Sequence, residues 1–221
     1  MSLAVVAVDG PAGSGKSTVA RAVAAALGLE VLDTGAMYRA VTFAVLEGGV
    51  DAADDDAVAR VARESEIEVA ERVRVDGVDA TDAIRGPDVT ALVSSVSANP
   101  SVRVALVQRQ RQWVEERGGG VVEGRDIGTV VFPDAPVKVF LVADAGVRAS
   151  RRRTDELAAD RSVAVHEVRA DLERRDHLDS TRPVAPLQPA EDAVVIDTSA
   201  LTVDDVVRKV LDEVRGAGLL G

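Results

Sequence analysis

The stretch DGPAGSGKST, residues 9–18, contains the pattern G-x-x-x-x-G-K-S. The β-branched apolar run before it, residues 3–9, predicts a buried parallel strand, and residues 17–27 after it have the spacing of an amphipathic helix. A glycine-rich turn between a strand and a helix points backbone N–H groups at phosphate oxygens, and the helix adds its positive N-terminus. The segment therefore predicts a P-loop that binds a nucleoside triphosphate.

Every residue of this loop is a candidate for contact with ATP. The Lys16 ammonium is expected to reach the β and γ phosphates, and the Ser17 hydroxyl is a candidate ligand of the Mg²⁺ that accompanies ATP. The alternative is a chance glycine-rich turn. The strand predicted before the loop and the helix predicted after it argue against that alternative. The ATP-binding candidates in the loop are Gly10, Pro11, Ala12, Gly13, Ser14, Gly15, Lys16, Ser17 and Thr18.

Composition and charge limit the classes of function. The formal net charge of −11 argues against a general nucleic-acid binder, because such proteins accumulate positive charge. Cysteine is absent, which excludes disulfides and thiolate chemistry. No apolar run approaches the roughly 20 residues of a membrane-spanning helix, and the N-terminus resembles a first strand rather than a leader. We expect a cytoplasmic monomer that binds neither nucleic acid nor membrane.

Strand and helix patterns alternate along most of the chain. This alternation predicts an α/β fold with a mainly parallel sheet that is covered by helices on both faces. The period changes over residues 66–85, where short alternating runs around Asp76 and Gly77 predict a small antiparallel insertion. We also expect the single tryptophan, Trp113, to lie in the core. The predicted strands are residues 3–9, 29–33, 121–123, 137–142 and 193–197, and the predicted helices are 17–27, 36–46, 51–66, 87–98, 100–117, 146–178 and 203–214.

A second candidate segment, DTGAMYR at residues 33–39, follows the second predicted strand. Ligands of parallel α/β sheets bind at the carboxyl ends of the strands, so this segment is expected beside the P-loop. It offers a hydroxyl, a helix N-terminus and a guanidinium. A simple helix cap would explain Asp33 and Thr34, but it would not explain Arg39.

A third candidate segment, EGRDIG at residues 123–128, ends another predicted strand. The Arg125 guanidinium suits bidentate recognition of phosphate, and the Asp126 carboxylate could accept a hydrogen bond from an exocyclic amine. An Arg–Asp surface pair in a turn is the alternative.

Arginines are concentrated in residues 148–182, which hold nine of the 23 in the chain. Several are expected on solvated helix faces, because acidic residues lie at helical spacing from them. Phosphoryl transfer, however, needs cations that close over the developing charge. Arg148 and Arg152, one helical turn apart, are our candidates for the ATP phosphates. The predicted arginine cluster comprises Arg148, Arg151, Arg152, Arg153, Arg161, Arg174, Arg175 and Arg182.

Taken together, these motifs resemble those of the bacterial cytidylate kinases, a family of nucleoside monophosphate kinases. The resemblance spans nearly the whole chain and implies a three-layer P-loop kinase core with a mainly parallel five-stranded sheet, an antiparallel insertion and a lid. It implies one domain over residues 1–221, with a monophosphate-binding insertion at about 34–117 and a lid at about 148–182. The segments that carry it are 9–18, LDTGAMYRA at 32–40, SSVSANPSVRVALVQRQR at 94–111, EGRDIGTVVFPDAPVKVFL at 123–141 and ERRDHLDSTRPVAPL at 173–187.

The resemblance also implies an activity and its residues. The family transfers the γ-phosphoryl group of ATP to CMP or dCMP with Mg²⁺, and Lys16, Arg125 and Arg182 match its catalytic positions. Ser94 and Asp126 would bind the cytosine, the arginines the phosphate, and Asp179 the sugar. Ser17 stands where the family commonly has glycine. The implied CMP-binding residues are Thr34, Tyr38, Arg39, Ser94, Arg103, Arg125, Asp126, Arg175, Asp179 and Arg182.

Two other functions remain open on the sequence alone. One is a P-loop kinase of another nucleotide or small metabolite, and the other is a P-loop switch that signals through bound nucleotide. A GTPase would need a guanine-binding motif such as N-K-x-D, and the sequence contains none.

Overall fold

The computed structural model of the chain describes residues 3–158 and 164–219. They divide into two units, one with Met1–Glu30 and Gly119–Gly221 and the other with Val31–Gly118. Arg161, a member of the predicted arginine cluster, lies outside the described residues.

The helices and strands alternate along the chain much as the sequence predicts. The first half contains β1 (Ala4–Asp9), α1 (Lys16–Leu27), β2 (Val31–Asp33), α2 (Thr34–Glu47), α3 (Asp55–Glu64), β3 (Ile67–Val69), β4 (Val73–Val75), β5 (Val78–Asp79), α4 (Pro87–Ala98) and α5 (Pro100–Arg117). The second half contains β6 (Gly119–Gly124), β7 (Val137–Val142), α6 (Ala145–Ala158), α7 (Val165–Thr181), β8 (Val194–Asp197) and α8 (Val203–Gly216). Two short segments are a 3₁₀ helix, Ala83–Arg85, and a π-helical turn, Ile127–Val131.

The main sheet has five strands in the order β2-β6-β1-β7-β8. β1 runs parallel to both of its neighbours, β6 and β7, and β7 runs parallel to β8. Valine and alanine fill β1, and its residues from Val5 to Val8 are buried, as expected of a strand that is covered on both faces. In the first unit, α1 packs against β6 and α8. The predicted α/β class with a mainly parallel five-stranded sheet is confirmed.

The second unit contains the predicted small antiparallel sheet. Its three strands lie in the order β3-β4-β5, and Asp76 and Gly77, both with positive φ, form the turn between β4 and β5. Val73, Val75 and Ile84 pack with alanines of α2 and form the core beneath this sheet. None of the helices that the structure describes combines the length and the apolar composition required to span a membrane.

Two predicted helix starts are wrong, and capping explains both. α2 begins at Thr34 because the Asp33 carboxylate accepts a hydrogen bond from the Ala36 N–H at 2.9 Å. α3 begins at Asp55, not at residue 51, because Asp54 caps it through the Ala57 N–H. Several acidic residues in this segment could serve as an N-cap, so the pattern alone does not select one.

The apolar face of α5 offers a test of the packing in the second unit. Leu106 is fully buried, whereas Val104, two residues earlier on the same helix, is 71% exposed. We expect Leu106→Ala to lower the free energy of unfolding by about 2–5 kcal/mol, because it removes buried contacts and leaves a cavity. Val104→Ala should change it by only about 0.5 kcal/mol. Urea unfolding followed by circular dichroism measures both, and equal midpoints for the two variants would contradict this packing.

Candidate active site

Two glycines let the P-loop approach its neighbours closely. Gly10 has φ +146°, and a Cβ at this position would lie 2.2 Å from the Leu141 carbonyl oxygen of β7. Gly13 has φ +76°, and its Cβ would lie 3.0–3.3 Å from the main chain and Cβ of Arg148. Side chains at either position would force the loop away from β7 or α6. The pattern of glycines is therefore required by packing around the loop.

Lys16 is the first residue of α1 and lies back across the loop. Its buried ammonium donates a hydrogen bond to the Pro11 carbonyl oxygen at 2.6 Å, and the Ser14 hydroxyl donates to the same oxygen at 3.0 Å. Both donors thus meet over the turn of the loop. The predicted role of Lys16 in binding the β and γ phosphates stays a prediction.

Ser17 forms a side-chain pair that the sequence analysis did not anticipate. Its hydroxyl donates to the buried Glu123 carboxylate at 2.9 Å, where Glu123 is the penultimate residue of β6. Hydroxyl and carboxylate oxygens are ligands that Mg²⁺ accepts, so this pair fits the ion. Among the described residues, no group of three or more acidic or histidine side chains could hold a metal. The pair therefore suits a Mg²⁺ that is held mainly by phosphate and water oxygens.

A second polar group forms where the end of β6 meets the end of α7. The Arg125 Nε donates to the Asp179 carboxylate at 3.1 Å, and the Arg182 guanidinium lies 3.5 Å from Asp126 Oδ1. Arg182 and Asp126 are both buried. With Arg175 they form what we call the Arg–Asp cluster. The structure thus brings together five of the residues that the resemblance implies for CMP.

Arg175 gives the Arg–Asp cluster its electrostatic character. It is 9% exposed, and its Nε is buried without a hydrogen-bond partner among the described residues. Burial lowers the pKa of the Arg175 guanidinium, the positive charge of Arg125 lowers it further, and Asp179 opposes the shift. Because a guanidinium keeps its proton in proteins, the shift means that positive charge is held there at a cost. An anionic ligand would relieve that cost.

Arg148, one of the two arginines predicted for ATP, contacts the P-loop. Its guanidinium donates to the Ala12 carbonyl oxygen at 3.1 Å and forms a half-buried ion pair with Asp176 of α7. Asp176 also accepts a hydrogen bond from the Ala12 N–H at 3.3 Å. Residues of α6 and α7 therefore contact the same loop residue, Ala12. Arg152, the other predicted arginine, pairs instead with Glu156 along its own helix at 2.5 Å.

Arg151 holds the P-loop as well, although the sequence analysis gave it no individual role. Its guanidinium donates to the Thr198 hydroxyl at 2.9 Å and to the Thr198 carbonyl oxygen at 2.8 Å. The Thr198 hydroxyl in turn donates to the Ser14 carbonyl oxygen at 3.1 Å. Arg151 thus supports the loop from behind through Thr198.

In the second unit, the predicted residues are attached to α2, α4 and α5. The Arg39 guanidinium donates to the Thr90 hydroxyl at 3.0 Å. The buried Arg103 lies with its guanidinium carbon 5.5 Å from the centroid of the Tyr38 ring, within the range of a cation–π contact. Two further predicted residues take helix positions in this unit, the buried Thr34 at the start of α2 and the half-buried Ser94 in α4.

Comparisons with known proteins point to one family. The family model described as "Cytidylate kinase" matches residues 6–216. The cytidylate kinase of Mycobacterium avium (strain 104) is 52% identical over 216 residues, which cover 96% of this chain and 95% of that protein. The cytidylate kinase of Rhodococcus opacus (strain B4) is 52% identical over 212 residues, 94% of this chain and 93% of that protein.

Solved structures support the fold. A gluconokinase from Sinorhizobium meliloti 1021 superposes with a TM-score of 0.50 over 97% of this chain and 93% of that one. The identity is 16%, so this likeness concerns the fold alone.

Gly10 of the P-loop and Gly28, which follows the last residue of α1, give a paired test. Gly10 and Gly28 both have positive φ, but a Cβ on Gly28 would meet nothing within 4 Å, whereas one on Gly10 would overlap the Leu141 carbonyl oxygen. Gly28→Ala should lower the free energy of unfolding by about 1–2 kcal/mol through backbone strain alone and should leave MgATP affinity unchanged.

We expect Gly10→Ala to destabilise more than Gly28→Ala and to weaken MgATP binding at least tenfold, the loss of about one charge-assisted hydrogen bond. Urea unfolding and calorimetric titration measure the two effects. If both variants bind MgATP equally well, the loop does not need this close approach to β7.

Proposed function

We propose that the P-loop and the Arg–Asp cluster together form the site of phosphoryl transfer in this chain. The chain belongs to the cytidylate kinase family, and it transfers the γ-phosphoryl group of ATP to CMP or dCMP. A loop for a triphosphate and a separate group of buried arginines occur in the same unit of the chain. A P-loop switch needs the first feature but not the second. The observation that carries the assignment is the buried Nε of Arg175, which has no hydrogen-bond partner within residues 3–158 and 164–219 and suits a second anionic substrate.

We assign the ATP side to the P-loop and its nearest contacts. The loop N–H groups and the Lys16 ammonium bind the phosphates, and Arg148 closes over them from α6. Ser17 and Glu123 are the residues that would hold Mg²⁺, and the chemistry that Mg²⁺ supplies when bound is neutralisation of the β and γ phosphate charge. Arg152 is a further candidate, although it would have to leave Glu156 to reach a phosphate.

We assign the acceptor side to the Arg–Asp cluster. The phosphate of CMP has a second pKa near 6 and is mostly dianionic at pH 7, so its oxygen needs no general base. That oxygen attacks the γ-phosphorus of ATP, the bond from this phosphorus to the bridging oxygen breaks, and the products are ADP and CDP or dCDP. Arg125, Arg175 and Arg182 then position this phosphate and stabilise the charge of the transferred group. By the resemblance to the family, Arg39 and Arg103 are further candidates for binding the phosphate of CMP.

The remaining CMP contacts concern the nucleoside. Asp126 and Ser94 bind the cytosine, and Asp179 accepts a hydrogen bond from the sugar. Thr34 and Tyr38 complete the site in this assignment. We propose further that Val31–Gly118 is the monophosphate-binding insertion, that residues 148–182 form the lid, and that the enzyme acts as a monomer in the cytoplasm on these small substrates alone.

Asp126 provides the sharpest test of substrate choice. Cytosine has an exocyclic amine where uracil has a carbonyl, and an ionised Asp126 accepts from the amine and repels the carbonyl oxygen. Sites of this kind discriminate by up to roughly 10⁴. We therefore expect Asp126→Ala to lose most of the preference for CMP over UMP, measured as the ratio of kcat/KM values.

The exposed Asp134, in the loop between the π-helical turn and β7, provides the matched control, and Asp134→Ala should keep the preference. If Asp126→Ala also keeps it, Asp126 does not bind the base.

A second prediction concerns water as a competing acceptor. Closure of the site excludes water, so ATP hydrolysis without CMP should be slow relative to phosphoryl transfer. A coupled assay for ADP release, run with no acceptor and with CMP, dCMP, UMP, AMP or shikimate, measures this. We expect CMP and dCMP to give the fastest release. Rapid hydrolysis without acceptor would favour a P-loop switch, and a preference for shikimate would favour a kinase of another metabolite.

A further inference from the structure

Asp9 is a buried carboxylate that the assignments above do not use. It is the last residue of β1, directly before the P-loop, and it is 5% exposed. Its Oδ1 accepts a hydrogen bond from the Ile127 N–H at 2.9 Å, and its Oδ2 accepts one from the Gly128 N–H at 2.8 Å. One carboxylate therefore joins the start of the ATP loop to the two peptides that follow Asp126.

The positions of those two peptides determine where the Asp126 side chain points. The π-helical turn Ile127–Val131 begins directly after it, and the Asp126 carbonyl oxygen accepts from the Val130 N–H at 2.9 Å. The Asp126 side chain does not cap this turn and instead lies 3.5 Å from Arg182. Because the turn is anchored through Asp9, a change at Asp9 would reach Asp126 through the backbone.

We propose that Asp9 is a positioning residue for CMP recognition, which holds the Ile127 and Gly128 peptides so that the Asp126 carboxylate is directed at the base. This inference rests on the proposed function, and in particular on the role of Asp126. Asp9 itself touches neither substrate in this assignment.

The chemistry of the contact requires an ionised carboxylate. Two N–H donors need two acceptor oxygens, and a carboxylate supplies both. An asparagine supplies one acceptor oxygen and presents an NH₂ group to the other peptide N–H. A protonated acid similarly presents an O–H group to one of the two peptide N–H groups. A neutral side chain at this position should therefore release one of the two peptides.

The surroundings of Asp9 raise the pKa of its carboxyl into a pH range in which the enzyme can be assayed. Burial raises its pKa to about 6, and the negative charge of Asp126 also raises it, whereas the two peptide N–H groups and Lys16 lower it. Lys138 of β7 is a further charged residue nearby, since its stem lies beside Gly128 and its ammonium pairs with Asp192 at 2.7 Å. As the pH falls through about 6, the neutral form appears and the second peptide contact is lost.

The first experiment compares Asp9→Asn with Asp54→Asn, in which the carboxylate also accepts from a backbone N–H but lies in the exposed cap of α3. We expect Asp9→Asn to raise the KM for CMP about tenfold and to reduce the preference for CMP over UMP, with the KM for ATP nearly unchanged. Asp54→Asn should change none of these values. Equal increases in both KM values, or a lower Tm with unchanged kinetics, would overturn the proposal in favour of a purely structural role.

The second experiment uses the wild-type enzyme, so it does not depend on whether Asp9→Asn folds. CMP and UMP carry the same phosphate, and the ratio of their kcat/KM values cancels its titration near pH 6. We expect this ratio to fall as the pH is lowered from 7.5 to 5.5 in the wild type and to be low and flat in Asp9→Asn. A wild-type ratio that is constant over this range would overturn the proposal.

The two experiments also separate this inference from the proposed function. If the wild type fails to phosphorylate CMP, the proposed function is wrong. If Asp126→Ala loses the base preference but Asp9→Asn and the pH series keep it, only the role of Asp9 is wrong.

Discussion

The Leu141 carbonyl oxygen of β7 lies so close to Gly10 that only a residue without a side chain fits between the strand and the P-loop. A similar approach joins Gly13 to the main chain of α6. These two contacts fix the path of the loop, and the other contacts follow from it. Lys16 can lie across the turn, Arg151 can support it through Thr198, and Arg148 can contact the Ala12 peptide.

Charge is distributed unevenly in this acidic chain. The formal net charge is −11, yet buried arginines gather in the Arg–Asp cluster. Asp179 and Asp126 offset Arg125 and Arg182, but the Nε of Arg175 has no hydrogen-bond partner among the described residues. Burial of a cation without full compensation is unfavourable, and it is tolerated where a ligand completes the site.

The sequence was sufficient for the order of most strands and helices, because periodicity and turn residues are local. The single helix predicted over residues 146–178 is wrong, because the structure has two helices in this part of the chain, α6 and α7. The sequence was insufficient for contacts that depend on the tertiary fold. Arg151, Arg152 and Arg153 are consecutive, and only the packing of α6 determines that Arg151 supports the P-loop while Arg152 pairs with Glu156. Trp113 shows the same limit, since it is half-buried with the Arg117 guanidinium 4.3 Å from its ring centroid, and not in the core as predicted.

Glu123 was missed for a related reason, yet the register of the sheet accounts for its position. Val8 aligns with Glu123 and Asp9 aligns with Gly124, so β6 ends at the same height as the strand that leads into the P-loop. Glu123 lies inside β6, whereas Arg125 lies just beyond its last residue, Gly124. Glu123 meets Ser17 and Arg125 meets Asp179, although only one residue separates them in the chain. Under the proposed assignment, this one strand end supplies a group to each substrate. The backbone of β6 therefore sets the spacing between the Glu123 and Arg125 side chains.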